Sequence, residues 1–259
     1  MQLTLPKKYT SKIVQAIGEF NLIAEGDHIL VGLSGGKDSS FLLYALAVLK
    51  KHLALNFTIS ALTIDLGFAG TDYSQLQAYC RQLGIPYHIE KTQIAEYILS
   101  EQNDNPCAKC ALFRKGAMVE YMKKAGWKKI AYGHHYDDAV VTYLMSIIYS
   151  GQLVTFQPKQ YLSQNDIYII RPLVYLREHL LGESSDLIDF QPMLSPCPYD
   201  QKSKRTEIKQ YLQGFTAQKQ VFYNLAAAMR QGVTIDLWPE EVPHRELAQK
   251  IKKLWSERS

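Results

Sequence analysis

The chain has 259 residues, of which 47% are hydrophobic and 21% charged, so it can bury a sizeable core and is not a disordered chain. No apolar run reaches the ~18 residues that a membrane helix needs. The polar first ten residues lack the apolar core of a signal peptide, so we expect a cytoplasmic protein. The net charge of +4 arises in residues 200–259, which hold 11 Lys and Arg against 7 Asp and Glu. Such a basic tail either contacts phosphates or forms a solvated helical face.

Short β-rich runs alternate with longer helical patterns through most of the chain. In chain order the patterns predict an N-terminal helix within residues 1–27, a strand at 28–33, a helix at 39–50, a strand at 57–65, a helix at 73–83, a strand at 86–90 with a helix after it, a strand at 129–132, a helix at 137–149, a strand at 167–170 and a helix from residue 177. Residues 150–165 are predicted to be a loop, and residues 206–230 and 243–255 are predicted to be helical.

This alternation predicts an α/β fold: a parallel five-stranded sheet with helices on both faces, followed by a C-terminal helical extension. We expect three regions, namely an N-terminal helix (1–27), a nucleotide-binding catalytic domain (28–190) and a cysteine-containing loop with a basic helical extension (191–259). In such sheets the carboxyl ends of the strands share one edge, where ligands bind.

A glycine-rich turn joins the first predicted strand to the following helix. It reads Ser34, Gly35, Gly36, Lys37, Asp38 and Ser39. Adjacent glycines let the backbone approach a ligand closely, and the free N–H groups at the start of a helix suit an anion. Lys37 is followed by Asp rather than Ser or Thr, so the turn is not a Walker A loop.

The cysteines follow a pattern typical of metal or redox chemistry rather than a disulfide framework. Cys80 falls within a helical pattern and is predicted to be a core residue. Cys107 and Cys110 form a C-x-x-C pair, and Cys197 lies far downstream. Thiolates are soft ligands that fit iron–sulfur or zinc, so the pair alone leaves zinc, iron–sulfur and thioredoxin-like redox chemistry open.

The phosphate-binding turn resembles that of the PP-loop ATP pyrophosphatase superfamily. Four further segments, Lys12–Asp27, Cys107–Cys110, Gly133–Asp138 and Ile170–Leu173, resemble the tRNA 2-thiocytidine synthetase family, and the resemblance extends from about residue 12 to 200. It implies an ATP-dependent tRNA sulfurtransferase that adenylates the C2 oxygen of a pyrimidine in a tRNA loop and replaces it with sulfur.

The resemblance also implies the site residues and cofactors. Three thiolates would hold a 4Fe-4S cluster and leave one iron open for a sulfur species. ATP and Mg²⁺ would bind at the sheet edge, with Thr63 and Ile64 reading adenine. The implied ligands of the cluster are Cys107, Cys110 and Cys197, and the implied ATP-site residues are Ser34–Ser39, Ile64, Asp65, Lys115, Gly133 and Asp138. Cys107, Cys110, Cys197, Lys115 and Asp138 are the implied catalytic residues.

For other side chains the sequence leaves both a functional and a structural interpretation open. Asp137 either joins Asp138 near magnesium or caps its helix, and His134 and His135 either orient the substrate or are buried structural imidazoles. The acidic residue that relatives carry three places after Asp138 is Val141 here. Candidate contacts to RNA phosphates are Lys123, Lys124, Lys128, Lys129, Lys202, Lys204, Arg205 and Lys209.

The predicted partners are tRNA and a sulfur donor, either a cysteine desulfurase or free sulfide, with a homodimer left open and no membrane. The context of Cys197, followed by Pro and Tyr, looks more like relatives that make 2-thiouridine, so the target is cytidine or, alternatively, uridine. A lysidine-synthetase-like amine ligase would need no cluster, and the three cysteines argue against it. A non-catalytic nucleotide-binding regulator has only Val141 in its favour.

Overall fold

A computed structural model of the chain describes residues 3–100, 106–188, 190–194, 196–199, 204–216, 218–232 and 242–256. The chain divides into two compact units, Met1–Met229 and Arg230–Ser259. The first unit contains the sheet, and the described part of the second contains a strongly amphipathic helix. The boundaries expected at residues 27 and 190 stay predictions.

The first unit is built on one sheet with the spatial order β3-β2-β1-β4-β6-β5. Neighbouring strands are parallel except for β5, which pairs antiparallel with β6. The strands are β1 (His28–Gly32), β2 (Thr58–Asp65), β3 (Tyr87–Lys91), β4 (Lys129–Ala131), β5 (Lys159–Leu162) and β6 (Ile167–Ile170).

The predicted α/β class is confirmed, whereas the predicted count of five strands is wrong. The additional strand, β5, lies in the segment 150–165 that the sequence predicts to be a loop. It is short, half-buried and polar, and a tight turn in which Asp166 has a φ of +52° brings it back onto β6. The antiparallel pairing with β6 therefore forms β5, without any strong apolar alternation of its own.

Helices cover both faces of the sheet, as predicted. The stretch predicted to be helical over residues 206–230 is in fact two helices, because the chain is extended at Gln218. The helices are α1 (Lys7–Glu19), α2 (Lys37–His52), α3 (Ser74–Leu83), α4 (Ile94–Ser100), α5 (Pro106–Ala125), α6 (Tyr136–Ser150), α7 (Glu178–Gly182), α8 (Lys204–Thr216), α9 (Lys219–Ala228) and α10 (His244–Ser256).

The alternation of side chains along β1 separates two hydrophobic cores. Ile29 and Val31 face a core that includes α1, α2 and α3, whereas Leu30 faces Met118 and Met122 of α5. Cys80 is fully buried in the first of these cores, as its sequence position predicts. Both faces of the central strands are thus covered, and only the strand ends remain available to a ligand.

The strand order reverses between β1 and β4, since β2 and β3 lie on one side and β6 and β5 on the other. The segments that follow β1 and β4 therefore meet at a topological switch point, where ligands of open α/β sheets bind. Among the helices of the described residues, none has the length and apolar character that a bilayer crossing requires.

Candidate functional site

The phosphate loop, residues 34–39, connects β1 to α2 and is held together by one buried hydroxyl. Ser39 Oγ accepts a hydrogen bond from the Ser34 N–H and donates one to the Gly36 carbonyl, both at 3.1 Å. Gly35 has a φ of +81°, which favours glycine. Among the described residues no side chain caps α2, so the N–H groups of its first turn are suited to an anion.

Gly133 follows β4 and packs directly against the start of α2. A Cβ at this position would lie 2.9 Å from the carbonyl carbon and oxygen of Asp38 and 3.0 Å from the Ser39 nitrogen. Only glycine permits this approach of backbone to backbone. The structure therefore brings together the two predicted segments, residues 34–39 and 133–138, at the switch point.

A cavity of about 830 Å³ opens beside the phosphate loop, between the end of β2, helix α5 and the segment that carries Cys197. Arg114, Lys115 and Arg171 line it, and its described lining residues include no Asp or Glu. Three cations without an acidic neighbour in the wall suit a polyanion. The cavity is also large enough to take more than a phosphate group.

Of the residues predicted to hold adenosine, only some line this cavity. Thr63 and Ile64 line the cavity at the end of β2. The Asp65 carboxylate instead accepts hydrogen bonds from the Gly67 N–H at 3.0 Å and from the Tyr73 hydroxyl at 3.1 Å. Asp65 thus shapes the turn after β2, and its contact with a nucleotide stays a prediction.

Asp138 lies in the first turn of α6 and is not among the described residues that line the cavity. Its carboxylate accepts hydrogen bonds from the His135 N–H at 3.1 Å and from the Arg205 guanidinium at 3.0 Å. Burial by itself would raise the pKa of Asp138, but the charges of His135 and Arg205 and the His135 N–H hold it below its ordinary value. Asp138 is therefore a carboxylate in a cationic environment.

His135 is only 1% exposed and lies between two carboxylates. Its Nε2 is 3.4 Å from Asp138 Oδ2 and 4.0 Å from Asp38 Oδ2. Burial raises the pKa of Asp38, whose Oδ1 has no hydrogen-bond partner among the residues described. The structural interpretation of His135 is favoured, because the ring joins the phosphate loop to α6.

Asp137 has a separate, structural function. Its carboxylate accepts hydrogen bonds from Arg177 Nε at 3.1 Å and from the Glu178 N–H at 2.7 Å, so it caps the start of α7. Asp137 is therefore a helix cap, which is one of its two predicted roles, but it caps α7 rather than its own helix, α6. The pairing of Asp137 with Asp138 at magnesium is not favoured by these contacts.

Two segments carry the three predicted thiols, and of the three only Cys197 is among the described residues of the cavity wall. Cys107 and Cys110 lie near the start of α5, and Cys197 lines the cavity. Burial raises the pKa of Cys110, Arg114 opposes this effect, and the proximity of Cys197 and Cys107 adds to it. Cys107 and Cys197 thus each lie close enough to Cys110 to influence its pKa. Within the described ranges, however, no three His, Cys, Asp or Glu side chains could hold a metal ion as they stand.

The segment that carries Cys197 is attached to the phosphate loop. We call its described residues, 190–194 and 196–199, the cysteine segment. Its Met193 N–H donates to the Gly35 carbonyl across 2.9 Å, and Met193 Sδ would lie 2.9 Å from a Cβ at Gly35. The Gln191 carbonyl accepts a hydrogen bond from the Gln75 amide at 2.8 Å.

Arg171 and His134 also line the cavity, and the sequence gives Arg171 no role. Arg171 is only 6% exposed and donates a hydrogen bond to His134. The available signal was the position of Arg171 directly after β6, inside the segment Ile170–Leu173 that carries the family resemblance. A residue directly after a parallel strand is placed at the ligand edge of the sheet.

Several of the candidate RNA contacts are engaged within the chain. Lys129 is buried and pairs with Asp27, so its prediction as a surface phosphate contact is wrong. Lys209 pairs with Glu178 at 3.0 Å, and Arg205 pairs with Asp138. Lys202 lies outside the described residues.

Comparison with known proteins places this chain in a family. A family model described as a PP-loop domain matches residues 6–213. The chain is 34% identical over 207 residues to a tRNA-cytidine(32) 2-sulfurtransferase of Burkholderia lata, an alignment that covers 78% of this chain but 62% of the relative. It is 35% identical over 199 residues to the protein of that name from Syntrophotalea carbinolica, which covers 76% of each.

A solved structure shows the same fold. The U34-tRNA thiolase NcsA from Methanococcus maripaludis, determined with its 4Fe-4S cluster, superposes with a TM-score of 0.69 at 22% identity. The superposition covers 86% of this chain and 76% of that one. The chain therefore belongs to the PP-loop domain family, within the group whose curated members include the tRNA-cytidine(32) 2-sulfurtransferases.

Proposed function

We propose that this chain is an ATP-dependent tRNA 2-sulfurtransferase that replaces the C2 oxygen of a cytidine in a tRNA loop with sulfur. One observation supports this most strongly: a cationic cavity is bounded by a phosphate loop on one side and by Cys197 on the other. Relatives named for the thiolation of cytidine 32 support the substrate. A base in a loop is accessible to a cavity, whereas a base in a helix is not.

The first chemical stage is adenylation. The phosphates of ATP bind to residues 34–39 and to the N–H groups at the start of α2. The C2 oxygen of the base attacks the α-phosphorus, the bond to the bridging oxygen breaks, and pyrophosphate leaves. Arg114 and Lys115 in the cavity wall neutralise the charge that develops on the phosphates.

Magnesium is part of the proposal because it is a hard ion that binds phosphate and carboxylate oxygens. Asp38 of the loop and Asp138 of the first turn of α6 are the carboxylates that face His135 Nε2, at 4.0 and 3.4 Å. The Asp38 Oδ1 that lacks a hydrogen-bond partner in the described part of the chain is a suitable oxygen donor.

In the second stage sulfur replaces the activated oxygen. A sulfur nucleophile attacks C2, the C2–O bond breaks, and AMP leaves with that oxygen. Cys107, Cys110 and Cys197 would hold a 4Fe-4S cluster, and such a cluster would supply a place for sulfide on an iron without a protein ligand. The chemistry of the residues fits, because thiolates are the soft ligands that iron–sulfur clusters take; Cys197 lines the cavity, and Cys110 directly precedes Ala111 of its wall. The sulfur itself comes from a cysteine desulfurase or from free sulfide. The proposal places the chain in the cytoplasm and leaves two assemblies, a monomer and a homodimer.

Mass spectrometry of tRNA nucleosides tests this proposal directly. Cells that lack the gene should lose 2-thiocytidine, and the wild-type gene should restore it. The variant Cys197→Ser should not restore it, whereas Cys80→Ala, altered in the core of α3, should. Loss of 2-thiouridine instead would change the assigned base, and a nucleoside profile that is unchanged would contradict the proposal.

A further inference from the structure

Arg171 and His134 lie side by side in the cavity wall. Arg171 Nε donates a hydrogen bond to His134 Nδ1 across 3.2 Å, and Arg171 Nη1 donates to the Gln157 carbonyl across 2.6 Å. The guanidinium carbon lies 4.7 Å from the centre of the Phe156 ring. Two hydrogen bonds and one aromatic contact therefore fix the orientation of the guanidinium.

The hydrogen bond to His134 determines where that ring carries its proton. A guanidinium has donors only, so His134 Nδ1 must accept, and the single ring proton must be on Nε2. Burial first, and then the charge of Arg171, lower the pKa of His134 to about 4, so the ring is neutral at pH 7. Of the other groups that face the ring, Arg205 and His135 also lower its pKa and Asp138 raises it, while Tyr132 and Phe156 contact it through their rings.

Arg171 itself is a buried cation without a counter-charge nearby. In the part of the chain that the structure describes, no Asp or Glu lies within ion-pair distance of it. Burial lowers the pKa of Arg171 to about 10, which still leaves it charged at neutral pH. A buried charge is costly unless it meets an opposite charge, so the wall at this point is suited to an anionic ligand.

We propose that Arg171 and His134 form a phosphate-recognition pair: Arg171 fixes the Nε2–H tautomer of His134, and His134 donates that hydrogen to the α-phosphate of the bound nucleotide. His134 is a binding residue that keeps its proton throughout, and Arg171 is a positioning residue that acts through it. The inference rests on the proposed function in one respect, because the anion is taken to be ATP and later AMP.

The position of His134 identifies the α-phosphate rather than the terminal phosphates. The preceding residue, Gly133, packs on the start of α2 beside the phosphate loop, and Cys197 lines the same cavity. The phosphate between the loop and the thiols is the one that bonds to the base oxygen. A donor at this phosphate serves both stages, since the α-phosphate leaves as part of AMP.

The tautomer can be observed without any assay of activity. In protein labelled with ¹⁵N-histidine, the nitrogen spectrum of His134 should show a protonated Nε2 and an unprotonated Nδ1 throughout pH 6–8. Arg171→Lys retains a side chain that has donors only and should keep this tautomer. Arg171→Met has no donor and should give the Nδ1–H form or a mixture. A wild-type ring that carries its proton on Nδ1, or that is charged at pH 7, would overturn the inference.

Calorimetric titration with AMP and with pyrophosphate tests the ligand. The variant His134→Leu should bind AMP about tenfold more weakly, as expected for loss of one hydrogen bond to a charged group, and should bind pyrophosphate as the wild type does. His134→Gln keeps an N–H donor at similar reach and should recover most of the AMP affinity. Equal AMP binding in His134→Leu and wild type, or a loss confined to pyrophosphate, would refute the assignment. If the wild-type protein binds none of ATP, AMP and pyrophosphate, the proposed function is refuted as well.

Discussion

The guanidinium of Arg205 joins α8 to the first turn of α6 through the Asp138 carboxylate, 3.0 Å away, and through Thr142 Oγ1, 2.8 Å away. Val141 lies between these two partners in the sequence and is buried. Helix α8 is thus attached to α6 by a defined pair of contacts.

We predict that Arg205→Ala lowers the free energy of unfolding by about 1 kcal/mol, because Asp138 is left as a buried carboxylate without its cation. The figure is modest since the Arg205 side chain is 37% exposed. Urea denaturation at pH 7 measures it. In an Asp138→Asn background the same substitution should have little effect.

A double-mutant cycle provides the control for that prediction. The two substitutions should be non-additive, with a coupling of about 1 kcal/mol, as expected for residues in contact. Lys219→Ala, an exposed site on the neighbouring helix α9, should be additive with Asp138→Asn. Additive effects of Arg205→Ala and Asp138→Asn would mean that the pair contributes nothing to stability.

Acid should weaken the contact between α7 and α8. Burial alone would raise the pKa of Glu178, but its hydrogen bond from Lys209 and the charges of Lys209, His135 and Lys37 hold it below its ordinary value of 4.5. A carboxyl whose pKa is lower in the folded than in the unfolded state stabilises the protein above pH 4.5, and this contribution is lost as the pH falls through the lower, folded-state value.

The stability difference between wild type and Glu178→Gln should therefore be largest near pH 7 and should shrink below pH 4.5. Urea denaturation at a series of pH values measures it. The matched substitution Glu207→Gln, at an exposed position on α8, should give a smaller difference at pH 7 than Glu178→Gln does. A Glu178→Gln difference that is constant across this range would contradict the assignment.

Gly133→Ala should damage the nucleotide site. The new Cβ would meet backbone atoms of Asp38 and Ser39, so the start of α2 must move, at a cost of about 1–3 kcal/mol. We expect ATP affinity to fall by more than tenfold in a calorimetric titration, since the phosphate loop moves with α2.

Gly116→Ala provides the matched comparison. Gly116 lies within α5, and a Cβ there would meet nothing within 4 Å beyond the backbone of its own helix. Alanine should therefore stabilise the helix by about 0.5–1 kcal/mol and leave ATP binding unchanged. If both glycine substitutions bind ATP like wild type, the close approach at Gly133 has no functional importance.

The thiols should react with iodoacetamide in a defined order in metal-free protein at pH 8. Cys107 is exposed and should be alkylated first, and Cys110, whose pKa burial raises, should follow more slowly. Cys80 is buried and burial raises its pKa to about 12, so it should react only on unfolding. Peptide mass spectrometry over time measures each site.

Loading with iron and sulfide under anaerobic conditions should then protect Cys107, Cys110 and Cys197 together, and the protein should absorb near ~400 nm as thiolate-bound iron–sulfur clusters do. The rate at Cys80 should not change, which makes it the internal control. Protection of the pair in α5 without protection of Cys197 would exclude a cluster held by all three.

The central fold could be predicted from the sequence because its signals are local. The strand and glycine turn around residues 28–39 and the start of α6 depend on residues close in the chain, and periodicity detects them. The strand β5 could not be predicted in this way, because it exists only through its pairing with β6. Its burial pattern shows no clear alternation of buried and exposed residues.

The chemistry of the site was predicted less completely than its location. The sequence indicates the phosphate loop, Lys115 and the three cysteines. Of these, part of the loop, Lys115 and Cys197 line one cavity, whereas Cys107 and Cys110 are not in its described wall. The sequence does not indicate that Asp138 is paired with Arg205, 67 positions later, or that Asp137 caps α7. Such long-range ion pairs depend on how the helices pack against one another. Neither the spacing of residues in the sequence nor the amino-acid composition reveals that packing.

The hydrogen bond from the Met193 N–H to the Gly35 carbonyl links the phosphate loop to the cysteine segment through backbone atoms alone. Because this link needs no side chain, replacing the Met193 side chain should leave the hydrogen bond in place, and the phosphate loop would stay attached to the segment that carries Cys197.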